Sequence, residues 1–142
     1  IAAFLWAQLE QAVTITARRL AIWQRYHHAF ESLEQKGLLR RPVIPADCDH
    51  NAHMYYLLLN SPEERSRVIQ GLKEAGISAV FHYVPLHSSP MGLRSGHAHG
   101  ELRVTTDLAN RLLRLPLWLG LEDKQDFVIE QLTAQVHTSD LT

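Results

Sequence analysis

The stretch SPEERSRVIQGLKEAGISAVFHYVPLH, residues 61–87, decides the fold, because a helix, a strand and a ligand-facing loop can be read in it without a break. Ser61 is a capping residue, Pro62 suits the first helical position, and Glu64 is spaced to close a capping box. Val68, Ile69, Leu72 and Ala75 give this helix one apolar face. Gly76 stops it, and Ile77 to Phe81 then reads as a strand that feeds Phe81-His82-Tyr83-Val84-Pro85-Leu86-His87. Pro85 fixes its own φ and biases Val84 toward extended backbone, so stiffness in the chain sets where Tyr83 and His87 stand. Two imidazoles and a phenol leaving a strand for a loop suit a polar ligand.

Working outward, Ile1, Leu5, Leu9, Val13, Leu20, Trp23, Phe30 and Leu33 follow one face of a long amino-terminal helix that stops at Lys36-Gly37. Its first turn has no capping side chain, which suggests a chain cut from something longer. Leu38 to Ile44 follows, then a connection from Pro45 through His50, then Ala52 to Leu59 as a buried strand. Beyond the central stretch, the glycine-rich segment from Ser88 to Val104 reads as an extended surface loop, a candidate for closing over a ligand. Thr105-Thr106-Asp107 caps a helix over Leu108 to Arg114, and Leu115-Pro116-Leu117-Trp118 reads as an edge strand. Glu122-Asp123 opens a last helix with Phe127, Val128, Leu132 and Val136 inward. The element order predicts an α+β, two-layer domain: a small, mainly antiparallel sheet of three or four strands with helices on one face.

The 142 residues, 46% of them hydrophobic, suffice for one domain with its own core, spanning 1–142. A net charge of -1 and a pI near 6.8 lack the positive field that nucleic acid or an anionic membrane would require. One cysteine, Cys48, allows no internal disulfide, and no apolar run reaches the roughly 20 residues of a membrane span. A cytoplasmic protein is the default expectation.

Nine histidines invite a metal reading through His50 with His53, His82 with His87, or His97 with His99. Pairs without a third ligand do not make a zinc site. Nucleophilic hydrolysis has less support: no serine sits in an elbow motif, and Asp47 and Asp49 would raise the pKa of the Cys48 thiol. Unaided, the residues define a ligand-facing surface.

Three blocks sharpen this: Asn51-Ala52-His53-Met54-Tyr55-Tyr56, Ala79-Val80-Phe81-His82-Tyr83-Val84-Pro85-Leu86-His87, and Arg111-Leu112-Leu113-Arg114-Leu115-Pro116-Leu117. Together with Ala2-Ala3-Phe4-Leu5-Trp6-Ala7-Gln8-Leu9-Glu10 they resemble, in order, the sugar aminotransferases of the DegT/DnrJ/EryC1/StrS family. The resemblance implies the small carboxy-terminal domain of an aspartate aminotransferase-like fold, whose large domain holds pyridoxal 5'-phosphate on a lysine. Lys36, Lys73 and Lys124 do not match the cofactor-lysine motif, so the fragment alone is expected to be inactive and to bind no cofactor. For the intact enzyme the resemblance implies transfer of an amino group from glutamate to the 4-keto carbon of a dTDP-4-keto-6-deoxyhexose. It brings His87, Tyr83 and His82 toward the nucleotide-sugar pocket, with no catalytic residue in this chain. Because His82 and Tyr83 are adjacent, one of them is expected to face the core. A homodimer formed through the apolar first helix is expected. The rival readings are a non-catalytic binding or assembly module of the same shape, and a metal-dependent hydrolase built on His82, His87, His97 and His99.

Overall fold

The computed structural model describes residues 1–137. Its centre is a three-stranded antiparallel sheet, β1 (Leu39–Arg40), β2 (Tyr55–Leu59) and β3 (Leu112–Leu115), with β2 in the middle. Leu39 pairs with Leu59 on one side, and Tyr55 with Leu115 and Leu57 with Leu113 on the other. With a side-chain period of two, this register sends Tyr55, Leu57, Leu59, Leu113 and Leu115 to one face, and all five are buried.

Helices α2 (Ala12–Ala29), α4 (Pro62–Glu74) and α7 (Gln125–His137) supply the other half of the core: Ile22, Trp23 and Tyr26 from α2, Val68 and Leu72 from α4, Val128, Leu132 and Val136 from α7. The Tyr26 hydroxyl donates to the Pro116 carbonyl at 3.1 Å, and the buried Gln125 amide donates to the Ile22 carbonyl at 2.7 Å. These two bonds tie the helix layer together and to the end of the sheet. The α+β, two-layer architecture read from the sequence is the one observed.

Several element boundaries differ from those read in the sequence. The long first helix is three segments, α1 (Ala2–Glu10), α2 and α3 (Glu31–Gln35), interrupted at Gln11 and Phe30. Gly37 has φ 72° and ends the run as expected. Strand β1 stops after two residues because the Arg41 amide turns away to donate to Glu34 Oε1 at 2.7 Å. Strand β2 starts at Tyr55 rather than Ala52. Ala52 has φ 50°, and Arg19 on α2 takes the carbonyls of Ala52 and His53 out of any ladder.

The segment Ile77 to Phe81 is not a strand: only Val80 pairs, exchanging both backbone bonds with Arg114. Ser88 to Val104 is not one long loop either. A 3-10 turn at Leu86–Ser88 leads to α5 (Pro90–Ser95), and α6 (Arg103–Arg111) begins without a capping side chain. Thr105, Thr106 and Asp107 therefore lie inside α6 rather than capping it. The last edge strand is Leu112–Leu115; Pro116, which cannot donate, marks its end rather than its middle. Phe127 is about half exposed, outside the apolar face of α7. No helix among the described residues is long and apolar enough to cross a membrane.

Candidate functional site

The double bond between Val80 and Arg114 fixes where the chain leaves the sheet edge, at 3.2 and 2.7 Å. Two residues on, His82 Nδ1 lies 3.4 Å from an Arg114 Nη1, and the His82 and Tyr83 rings meet edge to face at 4.5 Å. Neither side chain enters the core: His82 is half-buried and Tyr83 is 70% exposed, so the alternation expected for a strand fails where the strand itself fails.

At Pro85, with φ -56° and ψ 138°, the chain turns into the 3-10 segment, and the Pro85 carbonyl accepts from the Ser88 amide and hydroxyl. Ser89 caps α5, its Oγ accepting from the Gly92 amide at 3.0 Å, and Pro90 takes the first helical position. This is the Ser-Pro signature that opens α4. The same signal, present in the sequence at 89–90, marks α5.

Folding α5 back on the turn creates an open cleft of about 1030 Å³ lined by His87, Met91, His97, His99, Leu102 and Thr105, among others. A shallower hollow of about 590 Å³ adjoins it, walled by His87, Arg103, Thr106 and Asp107. The two share His87, Ala98 and Leu102, and His87 is the one of them with a titratable side chain. Tyr83 and His82 line neither, so the sequence-predicted trio divides: His82 and Tyr83 form one aromatic pair near Arg114, and His87 stands at the cleft. Across its ring, His87 Nε2 lies 3.0 Å from Thr106 Oγ1 on α6, a partner that nothing in the sequence pattern announces.

The charges nearby are mostly committed. Asp107 binds the Arg111 guanidinium through both carboxylate oxygens, at 2.9 and 2.6 Å. The Arg111 hydrogen bonds hold its carboxyl below the usual range and in turn raise Arg111. Arg111 also donates to the Leu59 carbonyl at 3.0 Å, anchoring the end of α6 to the end of β2. Arg103 pairs with Glu101. What the cleft offers a ligand is therefore mixed: apolar Met91 and Leu102, the imidazoles of His87, His97 and His99, and hydroxyls from Ser89, Ser95 and Thr105. Such a surface suits a polar, oxygen-rich molecule with one flat or apolar part.

Among the described residues no three His, Cys, Asp or Glu side chains are grouped closely enough to hold a metal ion. The hydrolase reading is not favoured. Lys36, Lys73 and Lys124 are exposed, and none lines the cleft or the hollow, so these residues do not form a site that would hold a cofactor aldehyde.

Residues 1–133 match a family model described as the DegT/DnrJ/EryC1/StrS aminotransferase family. A curated relative from Micromonospora megalomicea subsp. nigra, dTDP-3-amino-3,4,6-trideoxy-alpha-D-glucose transaminase, is 32% identical over 91% of this chain and 34% of its own length. The dTDP-4-dehydro-2,3,6-trideoxy-D-glucose 4-aminotransferase of Saccharopolyspora spinosa is 31% identical over 83% of this chain and 29% of its own. Among solved structures, S. venezuelae DesV in complex with a ketimine intermediate superposes with a TM-score of 0.81 at 27% identity, covering 95% of this chain and 35% of that one. The chain thus spans about a third of the length of the relatives it matches.

Proposed function

The chain belongs to the DegT/DnrJ/EryC1/StrS aminotransferase family, and from that premise we propose that it is the carboxy-terminal small domain of a pyridoxal phosphate-dependent sugar aminotransferase. The intact enzyme moves an amino group from glutamate to the 4-keto carbon of a dTDP-4-keto-6-deoxyhexose. Its product is of the dTDP-4-amino-4,6-dideoxygalactose kind, made in the cytoplasm for cell-surface polysaccharides such as enterobacterial common antigen and lipopolysaccharide. The observation that carries the reading is His87, quoted in one of the family-like blocks and standing on the wall of an open polar cleft.

This chain's task in that reaction is to grip and orient the nucleotide sugar. His87 contacts a sugar hydroxyl or phosphate oxygen from the cleft, while Tyr83 and His82, paired outside it, offer the ligand a separate contact with a ring face and a hydrogen-bonding edge. The cofactor's lysine belongs to the rest of the enzyme, so this chain by itself does not turn over. A homodimer forms through α1, whose apolar side chains are uncovered here.

The test is the intact enzyme incubated with glutamate and dTDP-4-keto-6-deoxyglucose or a 3-keto isomer, with release of 2-oxoglutarate followed. Amination of the 4-keto sugar is expected. The two relatives are named for a 3-amino and a 4-dehydro sugar, so turnover of the 3-keto isomer alone would overturn the 4-keto assignment, and turnover of neither would overturn the substrate class.

A further inference from the structure

A bond between α6 and the turn before α5 joins His87 Nε2 to Thr106 Oγ1 at 3.0 Å. The other ring nitrogen, Nδ1, has no partner among the described residues. A neutral imidazole has one N–H donor and one bare acceptor, and the bond made at one nitrogen selects which is which. Thr106 lies in the first turns of α6, and its backbone amide is already spent on the Leu102 carbonyl at 3.0 Å. Its hydroxyl has no other protein acceptor among the described residues. If that hydroxyl donates to Nε2, the proton of neutral His87 sits on Nδ1; if it accepts, the proton sits on Nε2.

We propose that Thr106 is a positioning residue: its hydroxyl donates to His87 Nε2 and so presents Nδ1–H as a fixed donor to an oxygen of the bound nucleotide sugar. The inference rests on the reading that His87 faces that ligand, and it adds the tautomer and the residue that sets it. The geometry supports the division of labour, since Thr106 walls only the shallow hollow while His87 walls both it and the main cleft. Thr106 sits five residues before Arg111, whose bonds to Asp107 and Leu59 hold the end of α6 against the sheet. The donor is therefore mounted on an anchored element. An Nδ1–H aimed at an oxygen acceptor also favours phosphate and hydroxyl over an ammonium, which has no acceptor to offer.

The experiment compares Thr106→Val, Thr106→Ser and His87→Gln with the parent in the intact enzyme. It measures dTDP-glucose affinity by calorimetry and the His87 tautomer from imidazole ¹⁵N shifts above pH 8. The parent and Thr106→Ser are expected to show Nδ1–H and equal affinity. Thr106→Val should show a mixture of tautomers and bind about three- to tenfold more weakly, the range for losing one neutral hydrogen bond. Unchanged tautomer and affinity in Thr106→Val, with His87→Gln weakened, overturns the role of Thr106 alone. Unchanged affinity in His87→Gln overturns the ligand-facing reading of His87 beneath it. Should Thr106→Val be poorly folded, the parent spectrum still decides: an Nε2–H tautomer refutes the proposal.

Discussion

A Cβ placed on Gly92 would coincide with the carbonyl of Leu86. The turn and α5 approach so closely there that only hydrogen fits, and the obstacle is backbone rather than a side chain that could swing away. Gly92→Ala is expected to cost about 1–3 kcal/mol by overpacking and to spread the cleft wall, weakening dTDP-glucose binding. Thermal denaturation and calorimetry of the variant check both. Glu34 makes a second prediction at this scale. Burial pushes its carboxyl up, but the Arg41 amide and guanidinium bond it and together carry it below its ordinary 4.5. A carboxylate held low in the fold stabilises the protein above its unfolded pKa, and that stability is lost as pH falls through the folded value. Glu34→Gln should therefore flatten the fall in urea stability that the parent shows below about pH 4.5. His87 stands out in the sequence as a candidate because Pro85 and the segment before it flag it, whereas Thr106 does not: its partner lies 19 residues away, and no local pattern carries that distance.

Helix α4, whose start carries a serine cap and a first-turn proline, is located well by local sequence, while the same Ser-Pro signal at Ser89-Pro90 opens α5 inside what reads as a loop. Ser61 accepts from the Glu64 amide at 3.1 Å, Glu64 Oε2 accepts from the Asn60 amide at 3.0 Å, and Pro62 opens α4 as its sequence proposes. Ser61→Ala is expected to cost about 1 kcal/mol of stability, read as a lower urea midpoint with unchanged slope. Strands were less legible, for a physical reason. Leu112 to Arg114 reads as the tail of the preceding helix, yet pairing with Tyr55 to Leu58 and burial of Leu113 and Leu115 outweigh a local preference worth tenths of a kilocalorie per residue. Ile77 to Phe81 has strand composition but meets only Arg114, so composition over-reads it. In both places long-range contacts decide, and a short window of sequence does not contain them.

At the scale of the whole molecule the core is complete without α1. No residue of Ala2–Glu10 is buried, and Phe4 and Trp6 remain 72% and 67% exposed with Leu5 and Leu9 beside them. The core begins with Ile22, Trp23 and Tyr26 on α2 and closes on the sheet, α4 and α7. Removing residues 1–10 should therefore leave unfolding stability within about 0.5 kcal/mol of the parent, as expected for groups that bury nothing. An apolar stripe left uncovered in water favours association, and a second copy of this helix is the partner proposed for it. Leu5→Glu combined with Trp6→Glu should shift light scattering from dimer to monomer while the thermal midpoint holds. If the parent chain is monomeric at high concentration, the stripe does not serve self-association. If the double variant instead lowers the midpoint, α1 contributes to the fold through contacts its exposure does not reveal, and the separation of core from stripe fails.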